Sequence, residues 1–393
     1  MPKTTGLSDK ERSALYKKVA IVGADESDEI GIVPHKSTLQ HQAEAARNAL
    51  DDAGIPLSEV DGIFTAGGGY GATLQIAEHL GIHPTYTDST SVGGSSFVVH
   101  VEHAAAAIAT GLIKVALITH GEAGASGSRR FPPQDPWAPS SQFETPFHVG
   151  PAPSNYALAA ARHMHQYGTT SEQLAEIAVA TRKWAMLNPK AMMRDPITID
   201  DVLSSRWIAY PFHLLDCCLV TDAGGAVVIT SAERAKDCKK KPVYVLGSGE
   251  AHTHATIASM PDLTTTPAAI SGPRAMQMAG VTHDDFDVVE VYDSFTYTVL
   301  VTLEALGFCK PGEGGAFVSG QRTAPGGDFP LNTNGGGLSY THPGMYGMFL
   351  LIEATRQLRG EAGARQIEGA KLGLVNGTGG TLSSTGTLVL GVD

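Results

Sequence analysis

Residues 53–64 read AGIPLSEVDGIF, and residues 279–290 read AGVTHDDFDVVE. Both follow one frame: Ala-Gly-apolar, five further positions, an aspartate, then the residues of a buried strand. Working outward, GLIKVALITHGE at 111–122 is answered by GAKLGLVNGTGG at 369–380, in each case a glycine and a strand running into a polar glycine turn. Each half closes on an apolar strand, GAVVIT at 225–230 and GTLVLG at 386–391. A chain that repeats itself in this order predicts an α/β protein of two β-α-β domains with equivalent topology packed against each other. We place them at 1–245 and 246–393. Loops after equivalent strands then converge on one cleft, where α/β proteins place their sites.

Periodicity fills in the first half. Lys18 to Ala24 (KVAIVGA) reads as a buried strand, and His41 to Ala53 as a helix with Ala43, Ala46, Leu50 and Ala53 on one side. Val60 to Thr65 is a second strand, Thr73 to Leu80 a short helix, and a third strand near Thr85 runs into Ser91-Val-Gly-Gly94. The apolar run Ser95 to Thr110 predicts a helix buried on most sides. From Ala123 to about Pro153 the texture turns to Gly, Ser, Pro and aromatics, and Tyr156 to Tyr167 and Ser171 to Leu187 look helical. We read 123–213 as a loop domain inserted in the first half, because unstructured stretches this long are usually covers or subunit contacts.

The second organising stretch is NTNGGGLSYTHPGMYG, 332–347. Gly335, Gly336 and Gly337 tolerate positive φ or a ligand against bare backbone. Pro343 and Gly344 suit a helix entry, which puts Tyr340 and His342 on a loop feeding a helix N-terminus, where N–H groups face an anion.

The composition is 42% apolar, with 45 glycines and a formal charge of −12. Such a charge argues against nucleic acid and acidic membrane surfaces as partners. No run of eighteen apolar residues occurs and the first residues carry no apolar leader core, so a cytoplasmic enzyme is the expectation. The four cysteines, Cys217, Cys218, Cys238 and Cys309, form no CxxC pair, and no histidine spacing, His252 and His254 included, suggests a metal.

The repeat, Ser91-Val-Gly-Gly94 before a buried helix, Tyr292-Asp-Ser-Phe295, Asn334-Gly-Gly and His342-Pro together resemble the thiolase superfamily. The branch they are most similar to is that of sterol carrier protein-type thiolases and lipid-transfer-protein aldolases. The resemblance spans essentially the whole chain and implies the thiolase fold, with two topologically equivalent β-α-β-α-β domains packed as a layered α/β sandwich. It implies acyl-CoA substrates, and coenzyme A entering as part of the substrate with no resident cofactor. It also implies a homodimer through the N-terminal half, which burial of the Val98 to Ile108 helix fits. A separate small OB-fold, zinc-ribbon partner is implied as well.

The departures from the family are specific. Ser91, or a residue close to it, stands where thiolases place their nucleophilic cysteine, and Gly377-Thr-Gly-Gly380 replaces the second cysteine's turn. The four cysteines fall on no family motif and read as core or loop residues. Tyr292 and Tyr340 match the paired catalytic tyrosines of the aldolase branch. Retro-aldol cleavage of a β-hydroxyacyl-CoA needs a base for the β-hydroxyl, donors for the enolate oxygen and an acid for carbon. We assign Tyr292 and Tyr340 to base and acid in either order, and His342 with the backbone near Gly379 and Gly380 to the oxyanion.

Each assignment has a plainer alternative. Ser91 is a nucleophile or a small pocket residue, Asp293 binds substrate or only fixes its turn, and Asn334 is assigned to substrate binding. Tyr297 and Tyr346 pack or touch substrate, and His148 lines the cleft or lies outside it. Arg182, Lys183 and Lys190 hold the coenzyme A phosphates or form a solvated basic face. Two further activities stay open: acyl transfer with a non-cysteine nucleophile, and a non-catalytic acyl-CoA-binding scaffold.

Overall fold

The computed structural model describes residues 15–127, 135–150 and 152–393. The start of the chain and part of the proline-rich stretch (128–134 and 151), on which the leader and cover expectations bear, lie outside the described residues. The first half runs β1 (Val19–Glu26), α1 (Thr38–Ala53), β2 (Gly62–Phe64), α2 (Ala72–Leu80), β3 (Tyr86–Asp88), α3 (Ser96–Ala109) and β4 (Val115–Ala123). An insertion follows, with α4 (Pro139–Phe143), α5 (Ala152–Tyr167), α6 (Ser171–Met186), α7 (Ile199–Ser204) and the hairpin β5 (Trp207–Ala209) and β6 (Phe212–His213). β7 (Asp222–Ser231) closes the half. The second half runs β8 (Val243–His252), α8 (Ala268–Ala279), β9 (Val288–Val291), α9 (Thr296–Leu306), α10 (Gly314–Val318), α11 (Gly347–Arg359), β10 (Leu372–Gly379) and β11 (Ser384–Gly391).

Nine strands form one sheet in the order β3-β2-β4-β7-β1-β8-β11-β10-β9. Outward from the middle, β1-β7-β4-β2 is matched by β8-β11-β10-β9, and the directions match too. Each series makes two antiparallel pairings and then a parallel one. The halves join where β1 meets β8, at Ala20–Tyr244 and Ile21–Val243.

The repeated sequence frame has a local cause. Gly54 after α1 and Gly280 after α8 both cap their helices in the left-handed conformation, at φ 70° and φ 72°. A single 3-10 turn follows each, Leu57–Glu59 and His283–Asp285, and the chain then enters β2 or β9. A second matched pair sets the packing of helix on strand. A Cβ on Gly23 in β1 falls 2.0 Å from the Ala49 carbonyl of α1, and one on Gly247 in β8 falls 2.0 Å from the Ala275 carbonyl of α8.

Helices α3 and α11 pack against strands of both halves, α3 on β4, β7, β10 and β11, and α11 on β1, β7, β9 and β10. The burial of α3 therefore has an intramolecular cause: Phe97, Val101 and Ala104 are fully covered within one chain. That corrects the use of this helix as a sign of a subunit interface. The arrangement brings the start of α3 to the ends of β9 and β10, where the site lies.

Candidate active site

A cavity of about 490 Å³ opens between the two halves. One wall is Gly93 and Gly94 at the entry to α3, facing Thr378, Gly379 and Gly380 at the end of β10. Tyr292, Ser294 and Phe295 come from the end of β9, and His342, Gly344 and Met345 from the loop before α11. The insertion supplies Tyr156 and Ile208, and the stretch between it and β7 supplies the run Cys217–Val220. Among the described residues, this wall carries no lysine, arginine, aspartate or glutamate, so it suits an apolar group.

Tyr292 is fixed at both ends. Its backbone N–H donates to the Asn376 carbonyl at 3.0 Å, continuing the β9–β10 pairing past the strand end. Its hydroxyl oxygen accepts the Tyr346 N–H at 3.0 Å and lies 2.9 Å from His342 Nε2. His342 is held in turn by Thr221: its N–H donates to Thr221 Oγ1 at 2.9 Å, and its carbonyl accepts the Thr221 N–H at 3.2 Å. Burial drives the Tyr292 hydroxyl well above the usual phenol range, more strongly than the Tyr346 N–H draws it down. The resting group is thus a neutral phenol at hydrogen-bond distance from the imidazole. Nearby His120, whose ring lies 4.7 Å from that of Phe97, is pushed down to about 3 by burial and then by His342, and so adds no opposing charge.

The turn before α3 offers no nucleophile. A Cβ on Gly94 would lie 2.1 Å from Tyr292 Cε2 and 2.7 Å from the Thr378 carbonyl, so the tyrosine ring fills the space of a side chain there. Gly93, at φ 76°, has backbone of Gly379 and Gly380 within 3.1 Å of its own Cβ position. Ser91 is exposed and absent from the cavity wall, which corrects its placement both as nucleophile and as pocket residue.

Tyr340 is not brought to Tyr292. Gly336–Tyr340 form one π-helical turn rather than an open loop, and Thr341 then extends at φ −163°. His342 reaches the cavity, while Tyr340 stays buried, packed edge-on against Phe349 at 6.1 Å and surrounded by Glu26, Arg356, Arg365 and Glu353. The glycines before it leave no room for a ligand. A Cβ on Gly336 would meet Asp293 Oδ2 at 2.0 Å, and one on Gly335 would meet Ala185 Cβ at 2.6 Å.

Asp293 and Asn334 are turn-fixing groups, not substrate ligands. Asp293 accepts the N–H groups of Gly337 at 2.7 Å and Leu338 at 3.1 Å, and burial still pushes its carboxyl up to about 7. Asn334 Oδ1 accepts the Gly336 N–H and the Tyr346 hydroxyl, each at 2.8 Å. Gly379 and Gly380 do line the cavity, and Gly380 has φ 59°.

His148 is exposed, in a left-handed conformation at φ 57°, and off the cavity wall. Arg182 is buried, with Nε donating to Ser339 Oγ and Nη1 to the Asp195 carbonyl, both at 2.9 Å, so it is not poised for phosphate. Lys190 pairs with buried Glu26 at 2.7 Å, whereas Lys183 is exposed.

Other wall residues escaped the sequence reading. Tyr156, in the first turns of α5, donates its hydroxyl to the Gly380 carbonyl at 2.9 Å. Cys217 and Cys218 lie in the loop before β7, with Cys217 packed against the core, and both also line the cavity wall. Cys217 donates its thiol to the His213 carbonyl, and burial pushes that thiol up to about 12. The available signal was their place just before a half-closing strand, on the cleft side of the repeat.

A family model described as thiolase C-terminal domain-like matches residues 249–392. The 17-hydroxy-3-oxo-4-pregnene-20-carboxyl-CoA lyase of Mycobacterium tuberculosis is 35% identical, over 96% of this chain and 100% of its own. The acetyl-CoA acetyltransferase of Methanothermobacter thermautotrophicus is 32% identical, over 93% and 97%. The solved structure of an Ltp2-ChsH2(DUF35) aldolase superposes with a TM-score of 0.88 at 33% identity, covering 97% of this chain and 99% of that one.

Proposed function

Since the chain belongs to the thiolase superfamily, in the branch of sterol carrier protein-type thiolases and side-chain-cleaving aldolases, we propose that it cleaves β-hydroxyacyl-CoA thioesters by retro-aldol chemistry without an enzyme-bound acyl group. The observation that carries this is Tyr292, a cavity-wall residue whose hydroxyl lies 2.9 Å from His342 Nε2 while its ring fills the space of a side chain at Gly94. The substrate β-hydroxyl gives its proton to Tyr292 as the tyrosine proton passes to His342 Nε2. The O–H electrons form the new carbonyl, the Cα–Cβ bond breaks, and its pair becomes a thioester enolate. The backbone at Gly379 and Gly380, which lines the cavity, is assigned to the enolate oxygen, and the stored proton returns through Tyr292 to Cα.

The neutral wall supports a bulky apolar acyl group such as a steroid side chain, with the charged part of coenzyme A outside it. Tyr210 is 71% and Val220 54% exposed beside wall residues Ile208 and Leu219, a rim that supports a separate small OB-fold, zinc-ribbon protein completing the acyl end. We also propose a cytoplasmic homodimer. Among the described residues, no helix is long and apolar enough to cross a membrane, and β3 leaves a sheet edge open on the N-terminal half. Acyl transfer is the second reading, and one observation favours it: Cys218 lines the cavity.

A panel of β-hydroxyacyl-CoA and β-ketoacyl-CoA thioesters, with and without free coenzyme A, tests the proposal by mass spectrometry. The expected outcome is a ketone or aldehyde plus a shortened acyl-CoA from the hydroxy substrates, with no requirement for free coenzyme A. Cleavage of β-keto substrates alone, and only with free coenzyme A, would favour acyl transfer.

A further inference from the structure

Behind Tyr292 lies a buried network that the chemistry above does not use. Glu290, two residues earlier on β9, is fully covered. Its Oε1 accepts the Thr333 N–H at 3.1 Å and lies 2.8 Å from Thr333 Oγ1. The same Oγ1 lies 2.8 Å from Oε1 of Glu353, on α11, and accepts from Gln357 Nε2 at 2.9 Å. The amide of Gln357 cannot be turned round, because Nε2 also donates to the Arg365 carbonyl and Oε1 accepts the Ile367 N–H.

One hydroxyl proton cannot serve two carboxylates. Thr333 Oγ1 has a single hydrogen and sits at hydrogen-bond distance from two carboxyl oxygens, so one of the two must donate to it. Glu353 is held by both Nε and Nη2 of Arg365 at 2.8 Å, which fixes it as the anion. The extra proton belongs to Glu290, whose Oε2 is buried without a hydrogen-bond partner, as the carbonyl of an acid can be and a carboxylate oxygen rarely is.

We propose that Glu290 is a neutral, proton-carrying positioning residue for Tyr292. It clamps Thr333, whose neighbour Asn334 accepts the Tyr346 hydroxyl, and the Tyr346 N–H holds the Tyr292 oxygen. The charged and titratable groups facing it are Glu353 and Arg365 across Thr333, Asp293 beyond its own strand, and Tyr346 from the loop before α11. Burial, and then the charge of Glu353, raise the Glu290 carboxyl well above the ordinary range. The unfolded chain therefore loses this proton first, and stability falls as pH rises above the ordinary glutamate value of about 4.3.

The positioning role rests on the proposed function, but the existence of the proton does not. Infrared difference spectra of wild type against Glu290→Gln at neutral pH are expected to show a carboxylic-acid carbonyl band present only in the wild type. Glutamine can place either an acceptor for the Thr333 N–H or a donor to Oγ1 where the single O–H oxygen of the acid serves both. The variant therefore loses one bond and, as a positioning defect, should lower kcat by about three- to tenfold. It should also gain denaturation midpoint on the wild type as pH rises from about 5 to about 8. If the glutamine variant does not fold, Thr333→Val should shift the same band by removing its partner. A neutral-pH spectrum with no such band, or no band moved by either substitution, overturns the proposal. A band in a protein that cleaves no β-hydroxyacyl-CoA would remove the proposed function and leave the buried proton standing.

Discussion

Tyr292→Phe is expected to lower kcat by about 10²–10⁴-fold, the range for loss of a positioned acid–base group. The ring that fills the space beside Gly94 is kept, so the substitution removes one oxygen and little else. That oxygen is the only atom of Tyr292 linked both to His342 Nε2 and to the Tyr346 N–H, so the proton path to the imidazole is cut. The orphaned Tyr346 N–H costs about 1–3 kcal/mol of stability, which thermal denaturation reads separately from rate. Tyr340→Phe is the matched control. It removes a hydroxyl from a buried tyrosine away from the cavity wall, so its rate should stay close to wild type. Comparable losses in both variants would return Tyr340 to the chemistry.

The second large effect is expected from Gly94→Ala, a change of one methyl group. The new Cβ would lie 2.1 Å from Tyr292 Cε2, 2.6 Å from Cζ and 2.7 Å from the Thr378 carbonyl. The carbonyl belongs to β10, held there by its pairing of Thr378 with Thr385 on β11, so the tyrosine ring has to yield. Overpacking of this kind costs about 1–3 kcal/mol. Displacing the hydroxyl from His342 by about 1 Å costs on the order of 10²-fold in rate. Steady-state kinetics at saturating substrate and denaturation midpoints measure the two parts. A Gly94→Ala enzyme with wild-type kcat would mean that the ring moves freely and that its fit against Gly94 has no catalytic meaning.

The architecture was legible because it is written twice. Gly54 and Gly280 end equivalent helices in the same left-handed conformation, and glycine is the residue that signals this in sequence. Gly23 and Gly247, each pressed against a helix carbonyl, mark the repeat as clearly and were not used. The site was legible in part. Tyr292 and His342 stand directly after a strand and on the loop before a helix, positions that a β-α repeat sends to the cleft.

What failed depended on the backbone path within a turn. Tyr340 and His342 are two residues apart, and a loop reading puts both at the cleft. The π turn instead rolls Tyr340 toward Phe349. The glycines that read as a ligand cradle are small because Asp293 and Ala185 occupy their space. Arg182 failed for a related reason: its basic character suggested phosphate, but the helix turns it inward onto Ser339 and the Asp195 carbonyl. Tyr156 reaches the wall from the insertion and Cys218 from the stretch between it and β7, and no periodicity encodes either path over the cleft.

The most direct test of cleavage without a covalent intermediate is the intact mass of the enzyme, acid-quenched during turnover of a β-hydroxyacyl-CoA in the absence of free coenzyme A. The retro-aldol path through Tyr292 and His342 predicts an unchanged protein mass while shortened acyl-CoA accumulates. A mass increase equal to an acyl group, carried on Cys218 or any other side chain, would contradict it and make this chain an acyltransferase with a relocated nucleophile.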